Sequence, residues 1–228
     1  MRHQTNTIPP GQAIPSPAQL ARGRQKAATQ SSREKRERIL KVAERLFHEQ
    51  GYADTTMAQI VRELGMTKPY VYYYFQNKQE IFERLAWRPT VACFTVLDFV
   101  PEDQRPAHIK LASGLESLIR ATIEHYPSAF FAYRDPQVFR PEFAAAQKKI
   151  ANHFYERLCV LMEQAHRDGT LDFNETKITA LAACSLPGFL YSWYRPDGRL
   201  GAEAMVKVLT ELTWRVIGLR ERPDAGFA

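Results

Sequence analysis

Five aromatic side chains crowd into six positions at Tyr70-Val71-Tyr72-Tyr73-Tyr74-Phe75, with Lys68 before them and Lys78 after. A short helix cannot bury all of these rings, so some phenolic hydroxyls face solvent beside ammonium groups. That combination donates hydrogen bonds to phosphate oxygens and lays flat rings against sugars or thymine methyls. The competing reading is a core cluster, but full burial would leave tyrosine hydroxyls without partners. The charge distribution agrees with the first reading. Of the net charge of +6, residues 1–88 carry +7 and residues 89–228 carry −1. A nucleic-acid-binding module joined to a neutral partner domain has that asymmetry; a solvated basic tail is the other explanation.

Other constellations offer less. Glu163-Gln164-Ala165-His166 has the Glu-x-x-His spacing of carboxylate-bridged di-iron bundles, which need two copies, and the chain has one. His125 and His153 stand apart from any cysteine, and Cys93, Cys159 and Cys184 contain no C-x-x-C pair. Metalloprotease, nucleophile-elbow and P-loop motifs are absent from the sequence. The expectation is therefore no enzyme, no metal and no cofactor, with a small helical enzyme as the distant alternative. The cysteines read as small buried hydrophobes of a reducing cytoplasm. The first 30 residues lack an apolar signal-peptide core. The longest uncharged run, Ile178–Tyr194, falls short of the roughly 18–20 residues that span a membrane. A cytoplasmic protein without membrane contact follows, and that run reads as a helix buried on every side.

The elements that must position the aromatic run are helical. From Arg33, Ile39, Val42, Ala43, Leu46 and Phe47 recur at three- and four-residue intervals until Gly51, which marks helix one. Thr56 with Gln59 fits a capping box, opening a second helix that buries Met57, Ile60, Val61 and Leu64 and stops at Gly65. Thr67 is a suitable N-cap and Pro69 suits a first turn, so helix three covers Lys68 to Tyr74. Asn77 to Glu80 caps a fourth helix containing Ile81, Phe82 and Leu85. Two short helices joined by a glycine-containing turn form a helix-turn-helix. Further helices are expected near Pro106–Tyr126, Pro141–Arg167, 175–194 and after Gly198. The fold class is all-α.

Between about Arg33 and Leu85 the chain resembles the TetR family of bacterial transcriptional regulators. The resemblance is carried by Ile39-Leu40 to Gly51, by Thr55-Thr56-Met57-Ala58-Gln59-Ile60, and by Gly65-Met66-Thr67-Lys68-Pro69-Tyr70-Val71-Tyr72-Tyr73-Tyr74-Phe75 with Asn77-Lys78. It implies that helix three enters the major groove of double-stranded DNA. Lys68, Pro69, Tyr70 and Tyr73 would then lie nearest the bases, with Tyr72, Tyr74 and Lys78 nearer the phosphates. Thr56 would aim the second helix's N-terminus at the backbone, and Thr67 completes the set. Tyr74 stands where members of the family often carry histidine. Ser192-Trp193-Tyr194-Arg195-Pro196-Asp197-Gly198-Arg199-Leu200 resembles a segment of TetR regulators of lipid, sterol and aromatic-acid breakdown, several of which sense coenzyme A thioesters.

Four segments are expected: a disordered basic extension (1–32), a DNA-binding head that includes the start of a linking helix (33–87), a helical ligand-binding and dimerisation body (88–222), and a tail (223–228). Arg22, Arg24 and Lys26 would form a basic arm reaching DNA, or an inert leader. In the body, Phe94, Tyr126, Phe130, Phe131, Tyr133, Phe154, Phe189 and Trp193 suffice to line an apolar pocket, although aromatics at helical spacing equally make a core. Arg134, together with Arg140, Arg195 and Arg199, would meet the phosphates of an acyl-CoA effector at its mouth. A CoA-free aromatic or lipophilic compound is the alternative. One recognition helix contacts too few bases, and the uncharged run needs cover. A homodimer on a palindromic operator satisfies both. Pro89 would interrupt the linking helix and permit the bend that releases DNA.

Overall fold

The computed structural model describes the backbone of residues 17–220 and the side chains of residues 30–220. Nine α-helices succeed one another among the described residues: α1 (Pro17–Asp54), α2 (Met57–Leu64), α3 (Lys68–Tyr74), α4 (Lys78–Phe94), α5 (Ala107–Glu124), α6 (Phe131–Arg134), α7 (Pro141–Arg167), α8 (Thr176–Gly188) and α9 (Ala202–Val216). The sole β pairing among them is an isolated bridge between Leu171 and Leu219.

The first helix begins well before Arg33, at Pro17. Ala, Gln, Arg and Lys dominate residues 17–32, and once a helix is nucleated each further residue adds a hydrogen bond at little cost. Residues 1–16 and 221–228 lie outside the described residues, as do the side chains of Arg22, Arg24 and Lys26. The periodic break at Gly51 is present: its φ of 85° and ψ of 164° interrupt the helical path, a conformation open to glycine.

The head packs α1–α3 and the first half of α4 around Ile39, Ala43, Phe47, Ile60, Val71, Phe75, Ile81 and Phe82, each at most 1% exposed. The body packs α4, α5, α7, α8 and α9 around Leu97, Leu111, Leu115, Phe154, Leu158 and Met162. Between head and body, α4 runs through Pro89 without a break, so the expected interruption is absent. Proline removes one backbone hydrogen bond there, to the Leu85 carbonyl, and in the next register the Thr90 hydroxyl donates to the Ala86 carbonyl at 2.8 Å.

The uncharged run departs from expectation as well. Only Thr176–Gly188 is α-helical, and Ala180, Ala183 and Pro187 are buried while Ile178, Leu181 and Phe189 are 65%, 50% and 58% exposed. In the single chain α8 has an open apolar side instead of cover all round. No helix among the described residues is long and apolar enough to cross a membrane.

Candidate nucleic-acid interface and effector cavity

Capping sets the helix-turn-helix. The Thr56 hydroxyl accepts from the Gln59 N–H at 3.2 Å, and the Gln59 side chain accepts from the Thr56 N–H at 2.7 Å. This is the reciprocal box that fixes where α2 starts. At its end Gly65 takes the left-handed conformation (φ 64°) and donates to the Arg62 carbonyl, while Met66 donates to Val61, so the chain turns sharply into α3. Arg38 on α1 donates to the Leu64 carbonyl at 3.4 Å, holding the turn against the rest of the head.

On α3, Val71 and the following Phe75 point inward at one-turn spacing, at 0% and 1% exposure. That register throws Tyr72 and Tyr73 outward, the latter 80% exposed. Lys68 and Pro69 are exposed on the same helix, and the Lys68 ammonium sits 5.5 Å from the centre of the Tyr72 ring. Thr67 occupies the N-cap position, yet its side chain makes no capping bond and faces solvent. Tyr70 and Tyr74 are half-buried, in edge contact with each other and packed on the head's core. The aromatic run therefore divides between interior and surface.

Lys78 corrects an expectation. Its ammonium donates to the carbonyls of Tyr52, Ala53 and Thr55 at 2.8, 3.1 and 2.8 Å and lies 4.3 Å from the centre of the Tyr52 ring. All three donors are committed to the open C-terminal end of α1, where cations are favoured, instead of facing outward toward phosphate.

The body encloses a cavity of about 550 Å³, a size suited to a small organic ligand. Phe94, Phe130, Tyr133, Phe154 and Phe189 line it as expected. Four expected residues do not. Phe131 stacks on Phe82 at 4.8 Å inside the head's core; it follows Phe130 on a tight turn, so neighbouring rings face opposite ways. Tyr126 packs in a side cluster against His48, Phe130 and Tyr194. Trp193 and Arg134 are exposed and touch no part of the cavity wall.

Thr90, Cys93, Gln147, Lys148, Tyr155, Leu181 and Cys184 also line the cavity without having been anticipated. A search for aromatics passes over them. The spacing of Gln147, Ala151, Phe154 and Tyr155 along α7 is the one signal that groups them. Burial pushes the Cys93 thiol up to about 11 and the Cys184 thiol up to about 12, which keeps both protonated. Lys148 is the charged side chain in the wall among the described residues. None of Arg134, Arg140, Arg195 and Arg199 reaches the wall.

Arg140 serves another contact. Glu83, on the head side of α4 and 3% exposed, accepts from the Arg140 backbone N–H at 2.9 Å, from Nε at 2.9 and 3.1 Å, and from Nη2 at 2.5 Å. Burial alone would raise the Glu83 carboxyl, but these bonds and the guanidinium charge outweigh it and hold it below its ordinary range. Glu163 and His166 are exposed on the last turns of α7, with the His166 ring against Phe173. No group of three metal-ligating side chains occurs among the described residues.

A capped helix that presents lysine and tyrosine outward from a tight turn defines a helix-turn-helix DNA-binding regulator. Residues 39–85 match the family described as bacterial regulatory proteins, tetR family, and residues 104–217 match the tetracyclin repressor-like C-terminal domain. The chain belongs to the tetR family of transcriptional regulators. It is similar to the HTH-type transcriptional regulator AcrR of Shigella flexneri, 36% identical over 56 residues that cover 25% of this chain and 26% of that protein. That match spans about a quarter of the relative's length.

Among solved structures, the TetR family regulator PfmR from Thermus thermophilus superposes with a TM-score of 0.69 at 22% identity, covering 81% of this chain and 99% of that one. AibR, solved in complex with isovaleryl coenzyme A and operator DNA, gives 0.65 at 18% identity, with coverage of 81% and 99%. These likenesses establish the fold.

Proposed function

We propose that the protein is a cytoplasmic, homodimeric repressor that binds a palindromic operator and leaves it when an apolar effector enters the body cavity. One observation carries the DNA reading: Tyr73 is 80% exposed and stands with Lys68 and Tyr72 on the outward side of α3, while Val71 and Phe75 anchor the other side. Lys68, Pro69 and Tyr73 meet base edges, with Tyr70 at the inner margin. Tyr72, Tyr74 and the free Thr67 hydroxyl meet phosphates, as does the α2 N-terminus at Thr56. Two copies place their α3 helices in successive major grooves about 34–36 Å apart or a multiple of that.

The effector's apolar body fills the cavity. An acyl-CoA thioester is the first reading, supported by the isovaleryl-CoA complex of the structurally similar AibR. A CoA-free lipophilic or aromatic acid is the second. It is favoured by a wall that contains no arginine among the described residues, where Lys148 suits a single carboxylate. The route to the head runs through the segment 128–134 rather than through a bend at Pro89. Ala129, Phe130, Ala132 and Tyr133 line the cavity while Phe131 lies in the head's core, so a shift of this segment moves both. By linkage, operator DNA weakens effector binding by the same factor as the effector weakens DNA binding.

Selection from random duplexes is expected to return a palindrome, and Tyr73→Ala to abolish its binding without lowering the melting temperature. Enrichment of no palindrome would overturn the reading. Titration of the selected complex with acyl-CoAs, free acids and CoA alone separates the two effector classes: release by the free acid but not the thioester excludes the acyl-CoA.

A further inference from the structure

Phe130 and Tyr133 come from the turn and short helix that follow α5, and Phe189 and Tyr191 from the end of α8 and the short helix Leu190–Ser192 behind it. All four rings line the cavity. Tyr133 and Tyr191 lie parallel, 7° apart with centres at 6.3 Å, while Phe130 and Phe189 meet Tyr191 at 48° and 67° with centres at 5.8 and 5.5 Å. Phe130 is buried, but Tyr133, Phe189 and Tyr191 are exposed, so ring surface stays uncovered at the wall. Phe94 and Phe154, also in the wall, differ: they pack on each other, and Phe154 is buried in the body's core. We infer that the cluster of Phe130, Tyr133, Phe189 and Tyr191 is the specificity element of the cavity, and that it selects an effector carrying a flat aromatic group over a saturated one.

The choice follows from what an uncovered ring gains. An alkyl chain gains burial alone, which leucine or valine in the wall would supply as well. A flat ring gains in addition from the opposed charges of ring face and ring edge. The parallel pair fixes the plane in which a ligand ring adds to the stack, and the tilted rings of Phe130 and Phe189 border it. Tyrosine and phenylalanine present these surfaces with two side-chain torsions each, so little freedom is lost on binding. Aromatic boxes also hold organic cations. This wall, however, has no acidic side chain among the described residues and does have Lys148, which repels a cation. The aromatic group therefore belongs to a neutral or anionic molecule. The cluster adjoins the segment that reaches the head, since Phe130 and Tyr133 flank Phe131. This rests on the reading of the cavity as the effector site, and it applies to a free acid and a thioester alike.

A matched pair of ligands provides the test. The acids 2-naphthoate and decahydro-2-naphthoate share a carbon skeleton and a carboxylate, and differ in whether the rings are flat and aromatic. Isothermal titration calorimetry of the full chain with each, as free acid and as CoA thioester, is expected to show about tenfold tighter binding of the aromatic member in at least one form. Tyr191→Leu should remove that preference and Tyr191→Phe should keep it. A Tyr191 that only supported the fold would weaken both members alike and leave their ratio unchanged. Should Tyr191→Leu fail to fold, the wild-type ratio and Tyr191→Phe decide. The cation 2-naphthylmethylammonium should bind about tenfold more weakly than the tighter naphthoyl ligand. Equal affinities for the two members, binding of neither, a ratio that survives Tyr191→Leu, or a preference for the cation overturns the inference. The effector reading is judged separately. A naphthoyl ligand that binds with the expected preference but leaves the selected operator in place removes that reading, while the aromatic site stands.

Discussion

In the head, Phe47, Phe75 and Phe82 lie at about 1% exposure, and Phe82 meets Phe47 edge-on and stacks on Phe131. In the body, the helices leave about 550 Å³ between α4, α5, α7 and α8. The head uses its apolar residues to close a small core, so that its shape is fixed and its chemistry is all on the outside. The body leaves space inside and an apolar side uncovered, which are the attributes of a unit that awaits partners. The two are not independent, because the head takes Phe131, Phe139 and Phe143 from the body to complete its core.

That shared core supplies the sharpest way to break the contrast. Phe131→Ala should destabilise the head by about 3–5 kcal/mol, the usual range for emptying a buried phenylalanine site. Thermal unfolding followed by calorimetry checks it. If Phe131 served the cavity instead, the variant would change effector binding and leave the head's unfolding in place.

The helix-turn-helix was legible in the sequence because its signals are local: the Thr56–Gln59 box, the Gly65 stop and the apolar spacing each act within a turn or two. The division of the aromatic run was half legible. The need for outward hydroxyls could be read, but which tyrosines stay half-buried depends on the register set by Val71 and Phe75 against α1 and α4. The cavity was not legible, since it is space between helices distant in sequence. Aromatic type alone nominated Phe131 and Tyr126, which pack elsewhere, and Trp193, which is exposed. Lys78 misled for a related reason: a lysine beside tyrosines reads as a phosphate contact until the open carbonyls of Tyr52, Ala53 and Thr55 are seen around it.

The next largest effect concerns the tie between the two regions. Arg140→Ala leaves the Glu83 carboxylate buried without its partner, and the melting temperature should fall by several degrees at neutral pH. The loss is pH-dependent in a defined direction. The Glu83 carboxyl is held below its ordinary value of 4.5 in the fold. Its contribution is therefore complete above that unfolded value and disappears as pH falls through the lowered one. Wild type and variant should converge only once the pH has fallen below that lowered value. Parallel curves down to acid pH would show that the pair contributes nothing.

The smallest effect separates two lysines on either side of the aromatic run. Lys68→Ala should reduce the slope of log affinity against log salt by about one, as loss of a phosphate or base-edge cation does. Lys78→Met should leave that slope unchanged and lower stability by about 1 kcal/mol, the net worth of a hydrogen-bonded cap. Equal slopes for both variants would move Lys78 back to the DNA surface.

The position of Phe131 also decides what can be exchanged between regulators. The stretch recognised as the DNA-binding unit, residues 39–85, is contiguous, but the ring that stacks on Phe82 arrives from residue 131 and further support comes from Phe139 and Phe143. A chimaera cut after α4 would transplant a head with a hole in it. The portable module is discontinuous, the first helices together with the segment 128–143, and a recombinant regulator that carries both parts keeps its operator specificity on a foreign body.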